Sequence, residues 1–213
     1  MSSHRGRKRS AVSGFQDLVC FSDGSLNELS AGAILHTPVD GERAHDGNVI
    51  QEMRCVITNS ASSQAFWHQG LTAGAMELAG LALSFNLLSN YVAAVCGTAT
   101  SGVQPGAQNV SVYSDDLPIV YFVLQGGAAH AGAQHLEGLV GHVRGLLDEL
   151  QHDGRQVFLL HAPRHTQGIR RAHALCRRGE VSEWPHGLRD LLVTSSEVYL
   201  AATADERSLM VKY

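Results

Sequence analysis

Three carboxylates in the sequence occur beside apolar segments, where an acidic side chain needs a chemical reason. Asp23 ends an apolar run, Glu77 adjoins the apolar stripe of a predicted helix over residues 71–88, and Asp115 ends an alternating strand pattern. A buried carboxylate requires a hydrogen-bonding partner or a metal ion, and carboxylates are the ligands that hard divalent cations prefer. The three residues predict a metal site if the fold brings them together.

The flanking patterns predict the elements that would position these side chains. Residues 30–36 read as the return strand of a hairpin, which would place Asp23 on a buried central strand. Thr72 is a candidate N-cap for the long helix. Because two acids at a helix start can also serve as caps, we interpret Asp116 as a cap and Asp115, still on the strand, as the ligand. Open α/β sheets build their sites at such strand ends.

The remaining patterns complete an alternation of strands and helices. Residues 52–60 read as a third strand, and residues 135–151 have leucine and valine at the spacing of a core-facing amphipathic helix. A strand and loop follow over 156–165, and a helix over 167–176. A Gly- and Ala-rich loop is predicted over 97–108.

In their order and surroundings these motifs resemble the ribonuclease H family, from about residue 18 to residue 179. Ser22-Asp23-Gly24-Ser25 matches the family's first-strand element, residues 75–83 loosely match the element around the glutamate of its first helix, and Ser114-Asp115-Asp116 matches its fourth-strand element. The resemblance implies an α/β, ribonuclease H-like fold. Its mixed five-stranded sheet would have the first three strands antiparallel and helices on its flanks.

The last helix departs from the family pattern, because His173 stands where the family has a fourth ligating aspartate. A neutral imidazole can replace a carboxylate as a metal ligand, and it favours Mn²⁺ over Mg²⁺. The resemblance then implies two ions, Mg²⁺ or Mn²⁺, with Asp23 bridging them. Glu77 and Asp115 would hold one ion, and His173 would hold the other with Asp23. His165, on the preceding loop, is a candidate for product release or proton transfer.

The leading hypothesis is a metal-dependent endonuclease that hydrolyses the RNA strand of RNA/DNA hybrids. Two divalent ions activate a water nucleophile and stabilise the leaving oxygen in such reactions. The net charge of −4 argues against a general nucleic-acid binder but permits a local positive face. Arg164, Arg170 and Arg171 are candidates for phosphate contacts. Asn27 is a candidate for contact with the 2′-hydroxyls that distinguish RNA.

Three alternatives stay open at this stage. One is a catalytically inactive ribonuclease H-like module that binds nucleic acid or protein, in which His173 marks lost metal affinity. Another is a nuclease acting on DNA, such as a junction resolvase. The run Tyr113-Ser114-Asp115-Asp116 also matches the Tyr-x-Asp-Asp motif of reverse transcriptases, but there the motif lies in a hairpin, and here a helix is predicted to follow.

The composition of successive segments suggests the organisation of the chain. We predict a basic disordered tail over 1–14, a ribonuclease H-like domain with insertions over 15–180, and an extension over 181–213 that packs on the domain. The tail could serve nuclear import or phosphate binding. The sequence shows no signal segment or membrane span, and its four dispersed cysteines lack metal-ligand spacing. We therefore expect an intracellular protein. The choice between nucleus and cytoplasm stays open, and so does the identity of any protein partner.

Overall fold

The computed structural model of the chain describes residues 17–37, 48–57, 67–97, 109–126, 133–152 and 155–210. Its elements, in chain order, are β1 (Leu18–Ser25), β2 (Ser30–Thr37), β3 (Asn48–Val56), α1 (Ala73–Gly97), β4 (Asn109–Ser114), α2 (Leu117–Gln125), α3 (Glu137–His152), β5 (Gln156–His161), α4 (Gln167–Arg178) and α5 (Leu188–Met210). Short 3₁₀ turns precede α1 and α3, at Trp67–Gly70 and Gln134–Leu136.

The five strands form one sheet in the order β3-β2-β1-β4-β5. The pairs β1–β2 and β2–β3 are antiparallel, whereas β4 runs parallel to β1 and β5 runs parallel to β4. This arrangement confirms the predicted ribonuclease H-like architecture, with its first three strands antiparallel. It also makes β1, which carries Asp23, the central strand.

Helices cover both faces of the sheet. On one face α1 packs against β1 and β2, and α3 packs against α1; on the other face α4 packs against β1 and β2. Residues 73–95 of α1 are apolar and long enough to cross a membrane, but most of this segment is buried within the protein. Its side chains join those of β1, β4 and α3 in the main hydrophobic core, which identifies α1 as the core helix of the domain.

The local capping predictions are confirmed. The Thr72 hydroxyl accepts a hydrogen bond from the Ala75 N–H at 3.2 Å, which caps α1. The Asp116 carboxylate accepts one from the Ile119 N–H at 2.9 Å and caps α2. The Tyr-x-Asp-Asp motif therefore leads from β4 directly into a helix, as the sequence predicts, and not into a palm-type hairpin.

Several predicted boundaries were wrong. The third strand begins at Asn48 instead of residue 52 and ends at Val56, and the predicted residues 58–60 lie outside the described residues. The core helix extends to Gly97, well beyond residue 88. The fourth strand ends at Ser114, so that Asp115 lies one residue beyond it. The predicted loop after Gly97 and the basic tail over 1–14 also lie outside the described residues.

The C-terminal segment contains α5, which contacts α1, α3 and both 3₁₀ turns. Before it, the Ser182 N–H donates to the Arg54 carbonyl at 2.7 Å, along the outer edge of β3. Leu188 and Leu192 of α5 belong to the main core. The domain boundaries at 15, 180 and 181 stay a prediction.

Cys20, Cys55 and Cys176 are buried free thiols. The intracellular location also stays a prediction.

Gly24 is the residue that allows α1 to lie directly on β1. A Cβ at this position would collide with the backbone of Met76 and Glu77. We expect Gly24→Ala to lower the free energy of unfolding by about 3 kcal/mol, because the backbone of α1 would have to move. Urea unfolding followed by circular dichroism measures this.

The matched control is Gly145→Ala on α3, where an added Cβ has no heavy atom within 4 Å. There alanine replaces glycine inside a helix, and we expect about 1 kcal/mol of added stability. Equal effects of the two substitutions would contradict the close approach of α1 to β1.

Candidate active site

The fold brings the three predicted carboxylates together. Asp23 lies on β1, Glu77 in the second turn of α1, and Asp115 directly after β4. One ligand oxygen from each residue lies within 4.8 Å of those of the other two. Asp23 is fully buried, and Glu77 retains an exposed fraction of 8%. The cluster therefore lies near the carboxyl ends of β1 and β4, at the second turn of α1.

Backbone packing sets the distance between Asp23 and Glu77. Gly24 lies against the backbone of Met76 and Glu77, and a Cβ on Gly80 would come within 2.7 Å of the Asp23 carbonyl oxygen. These two glycines let α1 approach β1 more closely than larger residues would permit. The parallel pairing of β1 with β4 then brings the end of β4, and Asp115 after it, beside Asp23.

Burial and the neighbouring negative charges disfavour the ionised forms of Asp23 and Glu77. Burial raises the pKa of Asp23; a hydrogen bond with His173 opposes this rise, and the charge of Asp115 adds to it. Burial raises the pKa of Glu77 to about 9, and the charges of Asp23, Asp115 and Asp116 add to the effect. A buried cluster of carboxylates is unstable when ionised unless a positive charge compensates it.

The unpartnered oxygens indicate what that positive charge could be. Asp23 Oδ1, Glu77 Oε2 and Asp115 Oδ1 are buried and have no hydrogen-bonding partner in the described part of the chain. Buried polar atoms of this kind are normally satisfied by an ordered water, an ion or a ligand. Because the three donors are all carboxylate oxygens, they fit a hard divalent cation such as Mg²⁺ or Mn²⁺.

Two basic side chains contact the cluster from outside. His173 Nδ1 lies 3.0 Å from Asp23 Oδ2, and Arg164 Nε lies 3.3 Å from Asp115 Oδ2. Among the described residues, the group of close potential ligand atoms contains the three carboxylates and does not include His173. Its assignment as a metal ligand stays a prediction. The Arg164 side chain is 72% exposed, so its guanidinium borders both the cluster and solvent.

The other four predicted site residues lie on two loops and on α4. His165 is exposed in the loop between β5 and α4, and Asn27 is exposed in the turn between β1 and β2. On α4, Arg170 is exposed, whereas Arg171 is half-buried and already has an interaction partner within the protein. The roles of these four residues stay predictions.

Two supporting residues could not be recognised from the sequence. The Cys176 thiol donates to the Asp23 carbonyl oxygen at 3.4 Å, and burial raises the pKa of this thiol. The Arg54 guanidinium donates to the carbonyl oxygens of Cys176 and Gly179, both at 2.8 Å. These contacts fix α4 against β1 and β3. They join residues more than 100 positions apart, and no local pattern indicates them.

No protein-family model matches the chain, and no curated protein matches it. Solved structures do match. Ribonuclease H1 from Halobacterium salinarum NRC-1 is 16% identical, with a TM-score of 0.46 over 75% of this chain and 93% of its own. The N-terminal ribonuclease H domain of rv2228c from Mycobacterium tuberculosis is also 16% identical, with a TM-score of 0.46 over 75% and 97%.

A third match is LC11-RNase H1, which was isolated from compost by a metagenomic approach. One of its structures is a complex with an RNA/DNA hybrid. The complex is 17% identical to this chain, with a TM-score of 0.48 over 75% of this chain and 93% of its own.

Proposed function

We propose that this protein with a ribonuclease H-like fold is a metal-dependent endonuclease that hydrolyses the RNA strand of RNA/DNA hybrids. The observation that carries the proposal is the cluster of the buried Asp23 and Glu77 with the half-buried Asp115, in which each carboxylate has one buried oxygen without a hydrogen-bonding partner in the described residues. A structural acidic residue is normally paired or solvated. Three carboxylates this close together, two of them buried, are expected where a cation is to be bound.

The three carboxylates would hold Mg²⁺ or Mn²⁺, which in phosphodiester hydrolysis activates water and stabilises the developing charge on phosphate. The protein's own contribution is to fix the ligands before the cation arrives. Asp23 is held by a central strand, and Glu77 by a buried helix. Rigid elements of this kind keep a site in its working geometry.

The surface beside the cluster offers positive charge for a nucleic-acid backbone. Arg164 contacts Asp115 through Nε, and the rest of its guanidinium fork can bind a phosphate. Arg170, exposed on α4, is a second candidate for a phosphate contact. Arg171 is a weaker candidate because it is half-buried and already engaged. Asn27, exposed in the β1–β2 turn, is proposed to contact the RNA strand. The choice of a hybrid as substrate rests on the sequence resemblance.

The test is cleavage of an end-labelled RNA/DNA hybrid beside matched RNA duplex, DNA duplex and branched DNA, with Mg²⁺ or Mn²⁺. We expect internal cuts in the RNA strand of the hybrid alone, dependent on the metal and lost in Asp23→Asn. The variant also excludes a contaminating nuclease, since it is purified in the same way.

The other results have defined meanings. Cleavage of branched DNA with the hybrid intact would replace the proposal with a resolvase-type activity. Binding of nucleic acid without cleavage in either metal would instead identify an inactive binding module. Both outcomes would overturn hybrid cleavage.

A further inference from the structure

The two outer edges of the sheet differ in how they are protected. At the β3 edge the chain covers its own strand, because the Ser182 N–H donates to the Arg54 carbonyl oxygen at 2.7 Å. The Trp184 indole N–H donates to the Val56 carbonyl oxygen at 3.1 Å. β3 also contains the charged Glu52, and its pairing with β2 is irregular. Covering segments, charges and irregular pairing all prevent the association of sheet edges.

The β5 edge lacks these protections in the described part of the chain. There β5 pairs only with β4, in an unbroken register from Gln156 to His161. The strand contains no proline, lysine, arginine or acidic residue. The Gln151 side chain reaches the Val157 carbonyl oxygen at 3.5 Å, which is too long a contact to exclude a paired strand. The outer edge of β5 is therefore a regular strand edge that can pair with another strand.

Apolar side chains are exposed on the face of β5 that lies on the same side of the sheet as α4. Leu160 pairs with Tyr113 of β4, and paired residues share a face of the sheet. Tyr113 stacks on Phe21 in the smaller core beneath α4, which packs against β1 and β2. Phe158 and Leu160 lie one strand further out and are 46% and 37% exposed. No helix of the described chain covers these two side chains.

A second exposed apolar stripe lies beside β5 on the opposite face of the sheet. There α2 contacts β5 and buries one side in the main core. Its other side carries Leu117, Tyr121 and Leu124, which are 40%, 54% and 51% exposed and have the spacing of one helix face. At about 200 Å² for a large apolar side chain, the five exposed residues present roughly 450 Å². A stable interface needs about 800 Å² per partner, of which somewhat more than half is apolar.

We propose that a second copy of this chain binds at the β5 edge, so that the two five-stranded sheets join into one sheet of ten strands. A two-fold axis perpendicular to the sheet makes the two β5 strands antiparallel, and residues opposite one another then share a face. With Leu159 opposite Leu159 of the second copy, Phe158 lies opposite Leu160 on both sides of the axis. The same axis brings the two Tyr121 stripes together. The apolar surface is thus complementary to itself, and the contact closes with two copies.

This dimer leaves both acidic clusters accessible. Asp23 and Asp115 lie near the carboxyl ends of β1 and β4, and both strands run in the direction of β5. Because the two β5 strands are antiparallel, the two clusters lie at opposite ends of the interface. Variants that prevent association should therefore retain hybrid cleavage within about threefold. Association and cleavage can each fail without the other.

The test is sedimentation velocity of the full chain in EDTA from about 1 to 100 µM, because interfaces of this size have Kd values from micromolar downwards. We expect the mass of two chains at the upper concentrations. Phe158→Lys and Leu160→Glu should each raise the dimer Kd about a hundredfold or more, since symmetry buries two unpaired charges in each dimer. Circular dichroism verifies that each variant is folded.

Mixing the two variants tests the register of the pairing. In a dimer with one copy of each, the introduced lysine lies opposite the introduced glutamate, while the remaining Leu160 and Phe158 pair as in the wild type. The mixture should therefore form a heterodimer with a Kd within about tenfold of the wild-type value. The matched control is Val49→Lys, at an apolar position of β3 that is 47% exposed. It should change the Kd by less than about threefold.

A wild-type chain that stays monomeric at the highest concentration would overturn the proposal. Hydrogen exchange of the β5 amides then identifies the occupant of the edge: protection in the monomer would assign it to another segment of this chain, and rapid exchange would leave it to a different protein. A dimer that persists in both β5 variants, or that Val49→Lys weakens equally, would also overturn it. A mixture without heterodimers would refute the pairing of Phe158 with Leu160.

Discussion

Asp115→Asn is expected to lower the rate of hybrid cleavage by roughly 10³-fold or more at saturating Mg²⁺, because a bound cation supplies several kcal/mol of transition-state stabilisation. The substitution keeps the shape of the side chain and removes its charge. It also removes one of the charges that raise the pKa of Glu77. We therefore expect a folded protein that is at least as stable as the wild type in the absence of metal.

The neighbouring residue supplies a matched control for this prediction. Asp116 is the same residue type, one position further on, but its carboxylate caps α2 through Ile119. Asparagine is an equally good N-cap, so Asp116→Asn should retain activity within about threefold. Single-turnover cleavage of an end-labelled hybrid measures both variants. An active Asp115→Asn, or an equal loss in both variants, would remove Asp115 from the site.

The elements that could be predicted from the sequence are those with signals a few residues long. The caps at Thr72 and Asp116 are of this kind, since each side chain binds a backbone N–H three residues ahead. The return strand after Asp23 follows from a turn and an apolar run. These interactions are local, and the sequence therefore contains all the information that determines them.

The elements that were missed or misplaced depend on distant partners. The first residues of β3 are largely exposed and do not alternate in polarity, so they show no strand pattern. They become a strand because they pair with β2. The core helix is apolar on nearly every side, and for that reason its periodicity does not indicate where it ends.

The closeness of the three carboxylates could not be derived from spacing. Asp23 and Asp115 are brought together by the pairing of β1 with β4, and Glu77 joins them because two glycines let α1 approach the sheet. The order of the motifs, compared with a known family, indicated this arrangement. The contacts of His173 with Asp23 and of Arg164 with Asp115 depend on the detailed path of the loop and helix after β5, which no pattern specified.

The stability of the metal-free protein is expected to fall as the pH rises, because of Glu77. Its pKa is raised to about 9 in the folded protein, first by burial and then by the charges of its acidic neighbours, from an ordinary value of 4.5. The folded state thus favours the protonated form. The contribution of Glu77 to the free energy of unfolding is fully present below about pH 4.5, and it is progressively lost as the pH approaches about 9. At about 1.4 kcal/mol per pH unit, the cost at pH 7 is about 3 kcal/mol.

Glu77→Gln should remove most of this cost. We expect the variant, in EDTA, to be more stable than the wild type by about 3 kcal/mol at pH 7 and by less than about 1 kcal/mol at pH 5. The glutamine oxygen can still accept the hydrogen bond from the Gly24 backbone. Urea unfolding at the two pH values measures the difference. Glu197→Gln, at an exposed position of α5, is the control and should change stability by less than about 0.5 kcal/mol.

Adding a divalent cation should remove most of the difference in stability between the two proteins. A cation present at one hundred times its Kd stabilises the folded state by about 2.7 kcal/mol, and it binds the ionised carboxylates, so the wild type should gain more stability at pH 8 than at pH 6. Glu77→Gln lacks one of the three ligands and should gain little at either pH. A wild-type protein that is more stable at pH 8 than at pH 5 in EDTA, or an equal gain from Mg²⁺ in both proteins, would contradict the link between Glu77 burial and cation binding.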